Sequence, residues 1–366
     1  MELNDFLISP AEVARRKGPH DRIVMSSRVR LARNIREGVF PGWAKKPERV
    51  RVLDLVRPAL ESLPELKGAF SESMEHLSTL DKNLLVERHL ISREHAAKRE
   101  GSGLVLNREE SFCVMINEED HLRIQALRPG LQLRQAWVAV DHLDSVLEKK
   151  LNYAFSPELG YLTACPTNLG TGIRVSAMLH LPGLVLAEQI NPIIQSVNKL
   201  GLAVRGLYGE GTEALGNVFQ VSNQMTLGES ESTIVERLEK VLAQIIEHEE
   251  NARATLLEKK PKMVHNHIGR AYGILANAHS ISSKETMNLL SLLRLGVDLG
   301  SFPSVERSLV DELILMTQPA HLQTVHSGKL SAEERDLLRA DMLRGRLKPV
   351  SRPVAKTGSG LDKADN

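Results

Sequence analysis

The chain has 366 residues, 42% of them apolar and 25% charged, which is enough to close one large or two ordinary cores and excludes a wholly disordered polypeptide. Forty-seven Lys and Arg against 46 Asp and Glu leave a formal net charge of +1, so no general affinity for nucleic acid follows, although a locally basic site stays open. Cys113 and Cys165 make neither a disulfide framework nor a zinc spacing, the opening MELNDFLISPAEVARRKG lacks an apolar signal core, and no run reaches membrane-spanning length; a cytoplasmic protein is expected.

In chain order, residues 1–20 read as a lead. Short strand-like runs follow at Gly103–Asn107, Phe112–Asn117, Leu122–Leu127, Val204–Tyr208 and Val218–Ser222, among helical stretches near 47–61, 131–151 and 184–199, so this part is α+β. From residue 232, apolar Ile234, Leu238, Val241, Leu242, Ile245 and Ile246 have the spacing of one long amphipathic helix that closes a first domain at about 21–256. Beyond KKPK the pattern is almost wholly helical, with Ser282-x-x-Glu285 and Ser331-x-x-Glu334 as capping boxes and breaks at Pro303 and Pro319; a second, all-α domain is expected over 260–346. Residues 347–366 lack apolar periodicity and are expected to be disordered.

Four polar stretches of the first part carry the candidate chemistry. In SSRVRLAR (26–33), Arg28 and Arg30 alternate along a strand and share a face, which suits an anion or serves as a charged edge that blocks aggregation. NEEDHLR (117–123) is a turn with three consecutive carboxylates and an arginine, ordinary on a surface if taken alone. In ACPTNLGTG (164–172), Pro166, Asn168, Gly170 and Gly172 predict a tight loop that aligns backbone N–H groups ahead of Arg174 at a helix-like start, with Cys165 as either a structural or a functional thiol. YGEGTEALGN (208–217) is a Gly-rich loop holding Glu210 and Glu213, for which a flexible hairpin is the plain alternative. Together, Arg28, Arg30, Arg123 and Arg174, with Glu118, Glu119, Glu213 and Cys165, have the makings of a site for a phosphate beside a cation.

These stretches resemble, in order and spacing, the ATP:guanidino phosphotransferases, the family of creatine and arginine kinases. Tyr208 in the loop and the helical extension are similar to the bacterial protein-arginine kinases (McsB type). The resemblance implies a guanidino-kinase catalytic domain, an antiparallel sheet flanked by helices, and a small all-α domain after it. It implies ATP as phosphoryl donor, Mg²⁺ carried by the nucleotide with no direct protein ligand, and arginine-bearing proteins as acceptors. It implies Glu119 and Glu213 as the pair that holds and deprotonates the guanidinium, and Cys165 as a thiolate, favoured by cationic neighbours, that orients it. Ser26, Arg28, Arg30, His89 (in VERHLIS), Arg123 and Arg174 would bind the nucleotide and its phosphates, and Glu118 and Asn168 would support them.

Two departures are visible: Tyr208 stands where small-molecule kinases carry a phosphate-binding arginine, and Met178 where they carry a second adenine-side histidine. Small-molecule kinases also have a helical domain ahead of the catalytic one, whereas SSRVR begins at Ser26, so an open guanidinium pocket is expected. Cys113, in an apolar strand, is expected to be structural. In the helical part, Arg335 and Arg339 lie one turn apart around Asp336, which on spacing alone fits a solvated helix. RDLLRA, ending at Ala340, resembles the family's phosphoarginine-binding motif, and TQPAHLQ (317–323) resembles a wall of that pocket. A role in quality control or stress, a protease–chaperone partner, an activator protein and a homodimer follow from the resemblance as expectations, with no direct nucleic-acid or membrane partner. The alternatives are a small-molecule phosphagen kinase and a non-catalytic phosphoarginine-binding adaptor.

Overall fold

The computed structural model describes residues 17–206, 214–326 and 329–354. The chain divides into two compact units, one of Met1–Leu179, Val197–Val204 and Gln220–Leu242, the other of His180–Ser196, Arg205–Phe219 and Ala243–Asn366.

The strands are β1 (Val24–Arg33), β2 (Phe70–Ser73), β3 (Gly103–Leu106), β4 (Phe112–Ile116), β5 (Leu122–Pro129), β6 (Phe155–Ser156), β7 (Gly160–Tyr161), β8 (Ile173–His180), β9 (Leu202–Gly206) and β10 (Val218–Asn223). Eight of them form one sheet in the order β2-β3-β4-β5-β1-β8-β10-β9, and β6 pairs with β7. The β2–β3, β3–β4, β4–β5, β5–β1 and β1–β8 pairings are antiparallel. Strands β3 and β4 are buried at every position, which explains why GLVL and FCVMI read as continuous apolar runs. Strand β1 alternates instead: Val29 and Leu31 are wholly buried, while Arg28 and Arg30 between them keep partial access to solvent.

Helix α1 (Lys46–Glu61) packs on β3, and helix α2 (Leu133–Glu148) packs across β1 and β5. The buried side of α2 is Leu133, Ala136, Val140, Leu143 and Leu147, three and four apart, so the sheet face opposite it is left for polar residues. The predicted helix near 184–199 is two helices, Pro182–Leu186 and Ile190–Lys199, separated where Glu188 takes φ +60°. Strand β2 went unpredicted because FSES has no apolar alternation to read.

Helix α3 (Glu231–Lys259) buries all six apolar residues that predict it. In the second unit it is followed by α4 (Pro261–Asn277), α5 (Ser283–Asp298), α6 (Arg307–Met316), α7 (Pro319–Val325) and α8 (Ala332–Leu347). Their core joins Val264, Ile268 and Leu275 to Leu290, Leu293, Phe302, Leu313 and Leu343. Gly296 lets α5 approach closely, since a Cβ there would stand 2.7 Å from Ile268 Cγ2. The Ser331–Glu334 capping box is complete, whereas Ser282 only accepts from Glu285 N–H. The tail is ordered further than expected: Tyr272 Oη donates to Val350 O at 2.7 Å and Val354 N–H to Ser301 O at 2.9 Å, so Leu347–Val354 packs because its valine finds a core. Residues 355–366 lie outside the described residues.

At the end of β1, Arg33 is 1% exposed. Its guanidinium meets Asp144 at 2.8 Å, donates to Ala32 O and Thr171 O, and lies 3.6 Å over the Tyr161 ring. Tyr153 Oη donates to the second Asp144 oxygen at 3.0 Å. Burial opposes the charge, but Asp144, Tyr161 and Glu231 hold the Arg33 pKa above its ordinary value. Removing one partner of a buried pair strands the other charge. Asp144→Ala should therefore cost about 3–5 kcal/mol in denaturant unfolding, and Arg33→Met/Asp144→Leu clearly less.

Candidate active site

The register of three neighbouring strands builds a cationic surface. Arg30 of β1 sits directly opposite Arg174 of β8 on one side and Gln125 of β5 on the other. Arg28 is two positions along on the same face, and Arg123 of β5 pairs with Ala32. Four guanidinium groups thus share the face away from α2, with like charges directly across a strand pair, an arrangement that repels. Burial and then the fields of Arg123 and Arg174 bring the Arg28 pKa down to about 10. Arg30 is lowered further by burial and by Arg123, Arg28 and Arg174, with Glu118 opposing. Arg28 Nη2 donates to Gln220 Oε1 at 3.0 Å, while Arg30 Nε is buried without a hydrogen-bond partner. Such a face is built for an anion carrying several negative oxygens.

The β4–β5 turn places three consecutive carboxylates in three environments. Glu118 is buried, accepts from Arg123 Nη1 at 2.7 Å, from Ser92 Oγ at 2.6 Å and from Glu119 N–H at 3.0 Å. Burial alone would raise its pKa, but Arg123 and these bonds outweigh it and hold the carboxyl at about 2. Glu119, by contrast, is exposed and its pKa is raised, first by desolvation and then by Asp120 and Glu118. Asn168 Nδ2 stands 3.5 Å from Glu119 Oε2, and the Cys165 thiol hydrogen-bonds the same carboxyl. Asp120 is buried and accepts from Asn34 Nδ2 at 2.6 Å and from Ala164 N–H at 2.7 Å. It therefore ties the turn to the cysteine loop one residue ahead of Cys165. Sequence reasoning passed over Asp120, whose only signal is its place at the end of the acidic run.

The cysteine loop differs from its expectation in one respect. Arg174 lies within strand β8, not at a helix start, because Ile173–His180 pairs with β1 along its length. The loop's N–H groups are spent internally: Asn168 N–H on Cys165 O, Leu169 N–H on Pro166 O, Gly170 N–H on Tyr161 O and Thr171 N–H on Thr226 O. These four N–H groups are therefore not open to an anion, and among the described residues the arginines of the sheet face supply positive charge. Besides Glu119, the described partner of the Cys165 sulfur is Thr167 Oγ1 at 3.0 Å, so an acid and a hydroxyl stand where cationic neighbours were expected.

His89 takes φ +59°, and burial with Arg28 nearby lowers its pKa to about 4, keeping the ring neutral. Ser26 and Met178 face each other across β1 and β8. Cys113 is fully buried, donates to Leu90 O at 3.0 Å and has a raised pKa, as fits a structural thiol. Glu213, Glu210 and Tyr208 lie outside the described residues. Among the described residues no cluster of three or more His, Cys, Asp or Glu side chains is arranged to hold a metal ion.

In the second unit, the two stretches singled out there do meet. Arg339 is 1% exposed and donates to Thr317 O and to Ile281 O, both at 2.8 Å, and to Asp336. Ala340 is fully buried, whereas Arg335 and Asp336 keep partial access to solvent. Of the two arginines, Arg339 is a strut between segments and Arg335 is the more open.

Glu118 carries a pH dependence. Its folded pKa of about 2 lies below its ordinary 4.5, so folding favours the ionised form. The contribution, on the order of 3 kcal/mol, is complete above pH 4.5 and fades as pH falls towards 2. The stability difference between wild type and Glu118→Gln in urea should shrink steadily from pH 5 to pH 3; a constant difference would remove Glu118 as its source.

Two family profiles match the chain: "ATP:guanido phosphotransferase, C-terminal catalytic domain" over residues 51–252 and "Protein-arginine kinase McsB C-terminal domain" over 261–358. A protein-arginine kinase of Halothermothrix orenii is 45% identical over 331 residues, 90% of this chain and 95% of its own length. One from Geobacillus stearothermophilus is 47% identical over 338 residues, 92% of this chain and 93% of its own. Among solved structures, lombricine kinase is similar with a TM-score of 0.56 and 26% identity, covering 66% of this chain and 71% of that one. No helix among the described residues is long and apolar enough to cross a membrane. With its arginine face, its acidic turn and its helical extension matched over nine-tenths of the length, the chain belongs to the protein-arginine kinases of the ATP:guanidino phosphotransferase family.

Proposed function

We propose that this enzyme transfers the γ-phosphoryl group of ATP to arginine side chains of proteins. The observation that carries the reading is the four-arginine sheet face beside the Glu119–Cys165–Asn168 group, in a chain 45–48% identical to protein-arginine kinases. A guanidinium is a poor nucleophile because its charge is delocalised and its pKa is about 12 or more. A carboxylate in its plane orients one nitrogen and takes its proton on attack. Glu119 fits that task, being accessible and having its proton affinity raised by burial and its acidic neighbours. Glu213 is assigned as its counterpart on the other edge of the guanidinium, and Cys165 as an orienting group and not a covalent carrier.

Phosphoryl transfer depends mainly on alignment and on neutralising the equatorial oxygens. Arg28, Arg30, Arg123 and Arg174 supply that charge without moving, since the sheet fixes their backbones. Neutral His89 and Ser26 line the nucleotide side. Mg²⁺, when bound, neutralises phosphate charge through nucleotide oxygens, which fits a site whose protein groups nearest the phosphates are cations. Glu118 acts through Arg123. We further assign Arg335 and Asp336, with Arg339 as the strut behind them and Ala340 at their base, to a regulatory phosphoarginine site. A cytoplasmic role in quality control or stress, with a protease–chaperone system, an activator protein and a homodimer, completes the proposal.

Incubation of an arginine-rich protein with Mg·ATP should yield acid-labile phosphate on arginine, while free arginine and creatine are phosphorylated poorly. Preference for the free compounds would make it a phosphagen kinase, and binding of phosphoarginine without transfer an adaptor. Glu213→Gln should keep ATP binding and lower turnover about a hundredfold or more. Cys165→Ser should lose most activity with no phosphocysteine in the wild type, and a kinetically competent phosphocysteine trapped by mass spectrometry would overturn its orienting role.

A further inference from the structure

Helix α5 lies in the C-terminal helical region, yet it grips the segment that follows Glu213 in the chain. Gly216 N–H donates to Asn288 Oδ1 at 2.9 Å. Gly216 has φ +65°, and a Cβ there would stand 3.1 Å from Met287 O, so the backbone rests directly on the helix. One residue on, Asn217 has φ +55°, and its Nδ2 donates to Ser291 Oγ at 2.8 Å. Asn288 and Ser291 are three apart and so share one face of α5. The stem is also held from its carbonyl side, since Asn217 O accepts from Leu181 N–H at 2.9 Å.

The helix end of this grip is itself rigid. Arg294 Nη1 lies 3.1 Å from His180 Nδ1, and an arginine can only donate, so the His180 proton is on Nε2. That N–H donates to Ser291 Oγ at 2.8 Å, which leaves the hydroxyl oxygen accepting from both His180 and Asn217. His180 is held neutral, first by burial and then by Arg294 and Arg253. Arg294 is anchored on Asp311 at 2.7 Å and on Asp298 at 3.6 Å. At the other end of α5, Arg339 Nη1 and the Asp336 carbonyl clamp Ile281, the residue before the Ser282 cap.

We propose that Asn288 and Ser291 are positioning residues for phosphoryl transfer: from the helical region they set the backbone of Ala214–Asn217, and with it the point at which the segment carrying Glu213 rejoins the sheet. The inference rests on the functional reading above. Alignment of a guanidinium tolerates displacements of well under an ångström, so an anchor three to four residues from the base is enough to control it. Residues of a helix outside the catalytic family segment, touching neither ATP nor acceptor, would then govern turnover through the backbone of Ala214–Asn217.

The test uses full-length Asn288→Ala, Ser291→Ala and Asn288→Asp, the last keeping an oxygen for the Gly216 N–H. Asn288 is exposed, so its replacement leaves the core intact. Both alanine variants should lower kcat on an arginine-rich protein about tenfold, with ATP affinity by calorimetry within about twofold. Amide exchange in peptides covering 214–219 should speed up while β4 and β5 stay protected, and Asn288→Asp should recover most of kcat. Unchanged exchange in Asn288→Ala would overturn the anchor. Faster exchange with full kcat, ATP affinity falling in parallel with kcat, or no recovery in Asn288→Asp would overturn the positioning role. A wild type that forms no phosphoarginine would sink the functional reading, and the catalytic half of this inference with it, while the exchange result still judges the anchor.

Discussion

Four guanidinium groups crowded on one sheet face are the constraint around which the first unit is arranged. Like charges on paired strands repel, and burial adds to the cost, so the strands must be held in register by something stronger. Two buried ion pairs do much of this. Arg33 with Asp144 fastens the end of β1 to helix α2, and Glu118 with Arg123 anchors the start of β5 to the β4–β5 turn. The positive field left uncompensated at Arg28 and Arg30 is what a polyphosphate would neutralise. On the proposed function, stability and function oppose each other at these positions, as is common for preorganised electrostatic sites.

The acidic turn shows how environment divides one residue type into separate tasks. Glu118, Glu119 and Asp120 are adjacent in the chain, and their neighbours differ completely. Glu118 is saturated with donors and stays ionised. Glu119 has few donors and two acidic neighbours, so it holds a proton more readily. Asp120, buried, also has a raised pKa, first from desolvation, and its Oδ1 accepts from both Asn34 Nδ2 and the Ala164 N–H. The base proposed for the guanidinium, an anchor for an arginine and a fastening for the cysteine loop thus come from three successive residues. The strand ends on either side, at Ile116 and Leu122, fix the turn tightly enough for the three to point apart.

The helical unit contributes more than bulk to the catalytic segment's frame. Ala214–Phe219 belong to it, and α5 supplies the polar groups that meet Gly216 and Asn217. Its buried network of Arg253, Arg294 and Arg307 with Glu249, Asp298 and Asp311 is satisfied pair by pair, which makes α5 a stiff support. Arg339 belongs to the same logic, since its donors fasten α8 to the segments at Thr317 and Ile281.

Much of this was legible in the sequence, for local reasons. Alternation in SSRVRLAR puts Arg28 and Arg30 on one face, because side chains on a strand repeat every second residue. The apolar spacing from Ile234 to Ile246 marks a long helix, and the motif order from Ser26 to Asn217 marks the family. What the sequence could not determine is what long-range pairing decides. The register that puts Arg30 across from Arg174, 144 residues apart by number, exists only once β1 lies between β5 and β8. The same pairing turned Arg174 from a helix start into a strand residue. Whether Cys165 meets cations or an acid, and whether Arg339 faces a ligand or the backbone of Thr317, depends on which carbonyls and carboxylates the fold brings within 3 Å. Period and composition specify which face a residue occupies, whereas its electrostatic partner is chosen by the tertiary structure, since charges interact through space and not along the chain.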